Sequence, residues 1–369
     1  MRPISHLPPP VAVERVELHR VRVALRCPHV AAHGTETHRE LVLVEVVGRD
    51  GVRGWGECDT LTAPTYTGEW TDGAWLVLRD HLVPGWLRGG AGVRGHPMAS
   101  AAVEGAAIDL RLRREGRSLA DELGSGRSRL EWGAVLSGAA DVDTLLVMVA
   151  AALEAGATLV KVKIDPQWSS EPLAAVRGAW PDLTLSADAN GSFAGDPGEV
   201  ESLDVFGLAY IEQPLAPTDL VGHARLARRV GTPIALDESL VDAGATEAAL
   251  AIGSLAVANV KPARVGGIAE ARAMLDLVGS VGAIAFVGGM LELGVGRAIA
   301  AAVATHPAAS LPTDLGPSTR YVSEDLTPAV EVDEDGRLVV PDGPGIGLEP
   351  DRDRLSAATI DRVIVAAPR

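Results

Sequence analysis

Cysteine occurs at only two positions, Cys27 and Cys58, in a chain of 369 residues. That scarcity excludes a disulfide framework and a cysteine-rich zinc site, and it points to a reducing cytoplasm. Aromatic residues make up 4%, and basic residues are outnumbered by acidic ones, 33 against 49, for a formal net charge of −16. So acidic a balance excludes nucleic acid as a partner, because phosphate binding needs a basic surface. It leaves room for an anionic substrate, since a few lysines in a cleft outweigh the global sign locally. No run approaches the roughly 18 uncharged apolar residues of a membrane span, so no membrane partner is expected. Residues 1–10 lack an apolar core of signal-peptide length and read as a disordered leader.

What is present is an order of elements that changes near residue 126. Val11–Ala24 alternates apolar and charged residues, the period of a half-buried strand, and a loop is expected over 25–37. Glu40–Val47 reads as a second strand, R-D-G at 49–51 as a hairpin turn, and V-R-G-W-G-E-C as the returning strand. Residues 69–123 then carry helical patterns, so 11–125 forms an α+β unit. From Arg129 strands and helices alternate, with a faint eighth strand near Ser310–Pro312. The fold class is therefore α/β: a modified (β/α)8, TIM-like barrel over 126–319. The segment 320–369 returns to complete the capping domain begun by the N-terminal segment.

Within the barrel, five charged residues close successive apolar runs. They are Lys163, Asp188, Glu212, Asp237 and Lys261, at spacings of 25, 24, 25 and 24 residues. Each gap holds one strand, a helix and their connections, so the five converge on the mouth formed by strand C-terminal ends. Three hard carboxylates without Cys or His suit Mg2+. Lys161 and Lys163, two apart on a strand, point to one face, and their repulsion is expected to lower the pKa of at least one. Lys261 should lie across the mouth. Bases on both flanks of a small-molecule carboxylate substrate can remove or return a proton on either face of a carbon.

These motifs carry a family resemblance. K-V-K, D-A-N, I-E-Q-P, L-D-E-S, N-V-K-P-A-R-V-G-G and G-G-M-L-E, with R-E-L-V-L and G-W-G-E-C ahead of the barrel, resemble the muconate-lactonising branch of the enolase superfamily. Within it the chain is most similar to the o-succinylbenzoate synthase and N-succinylamino acid racemase group. The resemblance implies Mg2+, with Mn2+ as a substitute, held by Asp188, Glu212 and Asp237. It implies Lys163 and Lys261 as the acid/base pair, with Lys161 and Asn190 in support. A lyase of menaquinone biosynthesis, or a racemase, acting in the cytoplasm as a homo-oligomer, is the expectation. Glu238 and Arg264 are further supporting candidates, Arg264 as a like charge that depresses Lys261. Glu292, Met290, His29 and Val135 are candidate substrate contacts.

The chain departs from that group in its recognition loops. Where P-F-R-T-S-F-G-T is expected it reads C-P-H-V-A-A-H-G-T, and Val135 replaces a serine. The segment T-D-L-G-P-S-T-R replaces T-x-x-S-D-R. A pocket that has lost a cation and hydroxyls should bind a succinyl carboxylate less well. The alternatives are a cycloisomerase, a dipeptide epimerase, and a non-catalytic binding barrel. An epimerase should carry Asp-x-Asp near the eighth strand, where only Asp314 stands. Loss of catalysis should erase buried charges first, yet all five remain.

Overall fold

β1 (Val13–Ala31) and β2 (Gly34–Gly48) run antiparallel as a long pair, and β3 (Arg53–Cys58) returns beside β2. The computed structural model describes residues 9–31, 34–90, 92–124, 126–195 and 197–368, without the side chains of 27–31, 34–36 and 197. Residues 1–8 of the expected leader, His33, and the side chain of His29 lie outside the described residues. The loop expected over 25–37 is instead strand for most of its length. Pairing breaks after Ala24↔His38 and resumes at His29↔Glu36. Pro28, which has no N–H to give a ladder, falls in the break. The turn after β2 is the expected one: Gly51 adopts φ 80° and Gly48 N–H reaches Val52 O at 2.8 Å.

The sheet's first face sends Val16, Leu18, Val42, Val44 and Val46 into a core shared with the helices that follow. These are α1 (Thr71–Val77), continued by a π-helical turn to Leu82, α2 (Val83–Leu87) and α3 (Pro97–Glu115). α3 lies directly on β3. A Cβ at Gly54 or Gly56 would fall 2.2 Å from Ala106 O or 1.9 Å from Ala102 O. The G-W-G pair is thus a groove for a helix backbone, and any side chain there would push α3 off the sheet. α4 (Leu119–Leu123) and the short strand β4 (Arg129–Leu130) lead out of this unit.

The barrel strands are β5 (Gly133–Leu136), β6 (Leu159–Lys163), β7 (Thr184–Asp188), β8 (Ile211–Glu212), β9 (Ile234–Leu236), β10 (Val257–Val260) and β11 (Ile284–Val287). All are parallel and ordered consecutively. Acidic N-caps start several intervening helices: Asp141 accepts Thr144 N–H at 2.8 Å and Asp242 accepts Ala245 N–H at 2.7 Å. Leu159, Tyr210, Ala235, Val257 and Phe286 fill the barrel interior. The eighth position is not a strand but a run of single bridges, Ala285↔Ala309 and Trp132↔Thr313. Pro312 interrupts the ladder, yet Leu311 N–H to Ala285 O and Gly133 N–H to Thr313 O still tie both neighbours. Helix α5 (Gly294–Ala304), after β11, is buried along its whole length. Its N-terminal Leu293 and Gly296 N–H groups donate to Glu57 of β3, so the capping sheet grips the barrel. The tail forms β12 (Leu338–Val339), paired with β4, then α6 (Arg352–Ala358) and β13 (Thr359–Ala366). β13 pairs with β1, completing the sheet order β13-β1-β2-β3.

Candidate active site

Lys163, Asp188 and Glu212 are the last residues of β6, β7 and β8, and they stand level with one another in the parallel register. Asp237 and Lys261 follow the last residues of β9 and β10. The strand ends thus bring all five charged positions to one mouth. There a cavity of about 280 Å³ opens, lined by Lys161, Lys163, Asp188, Glu212 and Lys261 among others.

Each lysine carries a carboxylate partner. Lys163 Nζ donates to Asp188 Oδ2 at 2.7 Å and to Asn190 Oδ1 at 2.5 Å. Lys261 Nζ donates to Asp237 Oδ2 and to the Tyr66 hydroxyl, both at 2.8 Å. Lys161 is fully buried, 4.6 Å over the Phe286 ring, and donates to Glu212 and, at 2.5 Å, to Asp314. These three are the only lysines in the chain, and Asn190 and Asn259 are its only asparagines. Asn259 Nδ2 donates to Glu212 Oε1 at 2.6 Å.

Of the paired lysines, Lys161 is not the one lowered. Burial pulls the Lys161 ammonium down, but Asp314 and Glu212 outweigh it and hold the group well above its ordinary value. Repulsion between Lys161 and Lys163 does not decide the matter, because carboxylates lie closer to Lys161 than the second lysine's charge can offset. Arg264 does pull Lys261 down, as expected of a like charge, but it does not decide the net. Burial lowers Lys261, Asp237 and Tyr66 raise it, and the net is upward. Arg264 spends its charge on Asp237, 3.1 Å away. Burial, with Asp188, Asp237 and Asp314 nearby, pushes the Glu212 carboxyl up to about 8 despite Lys161. Asp237 goes the other way: burial opposes its charge, but Arg264 and Lys261 hold it well below the usual range.

Five acids (Asp188, Glu212, Asp237, Glu238, Asp314) thus face four bases (Lys161, Lys163, Lys261, Arg264). The buried Asn259 Oδ1, Glu238 Oε2 and Asp314 Oδ1 have no hydrogen-bond partner. The spare oxygens and the absence of sulfur or imidazole fit a hard divalent cation.

Of the other candidates, Glu238 turns toward the mouth and accepts from Asn190 Nδ2 at 2.9 Å. Glu292, Met290 and Val135 line the cavity. Glu292 also folds its own loop, accepting Met290 N–H at 2.5 Å. Sequence reasoning missed Tyr66, which reaches down from the cap between Lys261 and Asp237, its hydroxyl 3.0 Å from Asp237 Oδ2. It also missed Arg320, a cavity-lining cation in a pocket expected to have lost one.

Among the described residues, the group with ligand atoms within 4.8 Å of one another lies elsewhere, at Glu17, His19 and Glu45 in the capping sheet. Such a trio can hold a metal ion. Here its charge is already met: Arg15 reaches Glu17 at 2.8 Å, Arg352 reaches Glu45 at 3.0 Å, and Arg362 and Arg53 pair with the same two acids. At the barrel mouth, Asp188, Glu212 and Asp314 border the cavity, where their oxygens could meet a cation.

Residues 145–354 match the family model "Enolase C-terminal domain-like", and residues 14–124 match the mandelate racemase/muconate lactonizing enzyme N-terminal domain. An N-succinylamino acid racemase of Amycolatopsis sp is 40% identical over 95% of this chain and 99% of its own length. An o-succinylbenzoate synthase of Geobacillus stearothermophilus is 40% identical over 95% of this chain and 96% of its own. A solved structure described as a probable mandelate racemase from Alicyclobacillus acidocaldarius superposes with a TM-score of 0.92 at 37% identity, covering 96% and 98% of the two chains. Family models over both parts of the fold and relatives matched nearly end to end lead to one conclusion. The chain is an enzyme of the enolase superfamily, in the mandelate racemase/muconate-lactonising branch, grouped with the o-succinylbenzoate synthases and N-succinylamino acid racemases.

Proposed function

We propose that the enzyme removes a proton α to a carboxylate as an o-succinylbenzoate synthase, dehydrating a cyclohexadiene precursor to the aromatic product of menaquinone biosynthesis. The observation that carries this reading is the placement of Lys163 and Lys261. They approach one cavity from β6 and β10, with the carboxylates of the intervening strands between them. Asp188, Glu212 and Asp237 would hold Mg2+, which supplies positive charge to the substrate carboxylate as its α-proton leaves.

The protein's own residues do the rest. Asp188 and Asn190 aim the Lys163 amine into the cavity, where in its neutral form it takes the α-proton. The same amine, now protonated, gives that proton to the hydroxyl departing from the neighbouring carbon. Lys261, held cationic by Asp237, offsets the charge that builds on the enediolate oxygens. That attraction is stronger in the transition state than in the bound substrate, which is the condition for acceleration.

The same geometry supports a second reaction, racemisation of N-succinylamino acids. Lysines on opposite flanks can exchange roles, one removing the proton and the other returning it on the far face. Dipeptide epimerisation is disfavoured: Asp314, the acid that would hold a substrate amine, is taken by Lys161 at 2.5 Å. Incubation with the cyclohexadiene precursor and Mg2+ should give the aromatic chromophore at a rate abolished in Lys163→Ala. No turnover above background removes the synthase reading. Loss of the α-proton to deuterated solvent, followed by NMR, tests the wider reaction class.

A further inference from the structure

The recognition loops led to the expectation of a pocket that has lost a cation and hydroxyls, yet Arg320 lines it. Arg320 lies just past the eighth barrel position, in a segment tied to the cap. Arg26 N–H donates to Tyr321 O at 2.8 Å, and Leu25 bridges Val322. The guanidinium lies 5.7 Å over the Trp132 ring and donates Nη2 to Val135 O at 3.1 Å. Trp132 is itself buried and fixed by its Nε1–H to Gly336 O at 3.0 Å. Stacking and one hydrogen bond therefore set the guanidinium plane while most of its five N–H donors stay unspent.

Its charge is also unspent. Among the described residues, Lys161, Lys163 and Lys261 each pair with a carboxylate, and Arg297 lies 3.6 Å from Glu292. Arg320 has no carboxylate partner among them, although it is half-buried at the cavity wall. Its anchor, Val135, is level with Lys161 in the register of β5 and β6, which puts Arg320 on the flank of the mouth away from Lys261. The cavity wall also includes the apolar residues Leu25, Leu61, Met148 and Leu315. A protein of net charge −16 repels a dianion, so a bound second carboxylate needs a local cation. A guanidinium of fixed plane suits a two-pronged carboxylate.

We propose that Arg320 is the specificity-determining residue that binds a second carboxylate of the substrate, remote from the carbon that loses its proton. The inference rests on the reading of this cavity as a site of α-proton abstraction. It implies that the altered loop, T-D-L-G-P-S-T-R, retains the means of holding a succinyl-type carboxylate by stacking and a backbone anchor.

The test compares the N-succinyl and N-acetyl derivatives of phenylalanine, with Mg2+ present, in the wild type, Arg320→Gln and Arg320→Lys. Binding is read by titration calorimetry and α-proton exchange by NMR. The wild type should prefer the succinyl derivative, and Arg320→Gln should reduce the succinyl-to-acetyl affinity ratio by about ten-fold or more, the scale of a charge-assisted hydrogen-bond pair. Arg320→Lys should keep part of the ratio. Should Arg320→Gln fail to fold by circular dichroism, Arg320→Met keeps an apolar stem over Trp132 and takes its place. Equal weakening of both derivatives, an unchanged ratio, or no succinyl preference in the wild type overturns the inference. An Arg320-dependent preference without α-proton exchange supports Arg320 as the carboxylate site and overturns the reaction instead.

Discussion

The Tyr66 hydroxyl, carried by the cap, lies 2.8 Å from the Lys261 ammonium, carried by the barrel. The same hydroxyl reaches Asp237 at 3.0 Å, so one cap residue holds a lysine and a carboxylate of the mouth in fixed relation. Tyr66→Phe keeps the ring under Lys261, whose Nζ sits 5.0 Å from its centroid, and deletes only the hydroxyl. Hydrogen bonds to charged groups are worth about 1.5–3 kcal/mol, so kcat/KM should fall by roughly 10- to 100-fold with the melting temperature little changed. A kcat/KM within two-fold of the wild type would show that the hydroxyl does not position Lys261.

The two lysines predict a stereochemical signature. Lys163→Ala and Lys261→Ala should each lose about 10²- to 10⁴-fold in racemisation, the usual contribution of a positioned acid or base. Each variant should still exchange the α-proton of one enantiomer with deuterated solvent, and the two should retain opposite enantiomers. NMR on resolved N-succinylamino acids measures this, and exchange of the same enantiomer by both variants would place the lysines on one face.

Two clusters compete for a divalent ion, and Mg2+ binding separates them. Ligand at 100 times its Kd stabilises the folded state by about 2.7 kcal/mol. Differential scanning calorimetry should show a rise in melting temperature on adding Mg2+ that survives Glu45→Gln and vanishes in Glu212→Gln. The reverse pattern would move the ion to the capping sheet.

The capping sheet also predicts an acid limit. Burial works against the Glu45 charge, but hydrogen bonds from His19, Arg352 and Arg53 outweigh it and lower its pKa from 4.5 to about 2. A carboxyl with its folded value below its unfolded value contributes stability above about 4.5 and loses it as pH falls toward 2. Urea unfolding across that window should show a falling midpoint in the wild type. Glu45→Gln should start lower at neutral pH and change less over the window; an equal slope would mean that Glu45 is not the group responsible.

The five charged positions were legible because each ends an apolar, β-branched run, and the barrel turns that rhythm directly into a ring of strand ends. Tyr66 was not, because T-A-P-T-Y-T-G has neither period, and only the descent of the cap onto the barrel gives it partners. Arg320 and the role of Asp314 were hidden for a related reason: Asp314 ends, and Arg320 follows, an eighth position held by single bridges, whose residues lack a strand pattern. The loop expected over 25–37 is strand for most of its length. A facing strand supplied ladder partners beyond the break, and pairing of that kind overrides local preference. The upward shift of Lys161 was not legible, because sequence shows the neighbour two residues away and not Glu212 and Asp314, which fold around it.

The concentration of every lysine at 161, 163 and 261 has a practical consequence. Elsewhere the chain carries its positive charge on arginine, so reagents selective for ε-amines find their targets only at the barrel mouth. Reductive methylation or acylation followed by peptide-mass measurement, which sets the α-amino terminus apart, would therefore count reactive active-site amines, and protection from labelling would report occupancy of the cavity by any ligand, whether or not it is turned over.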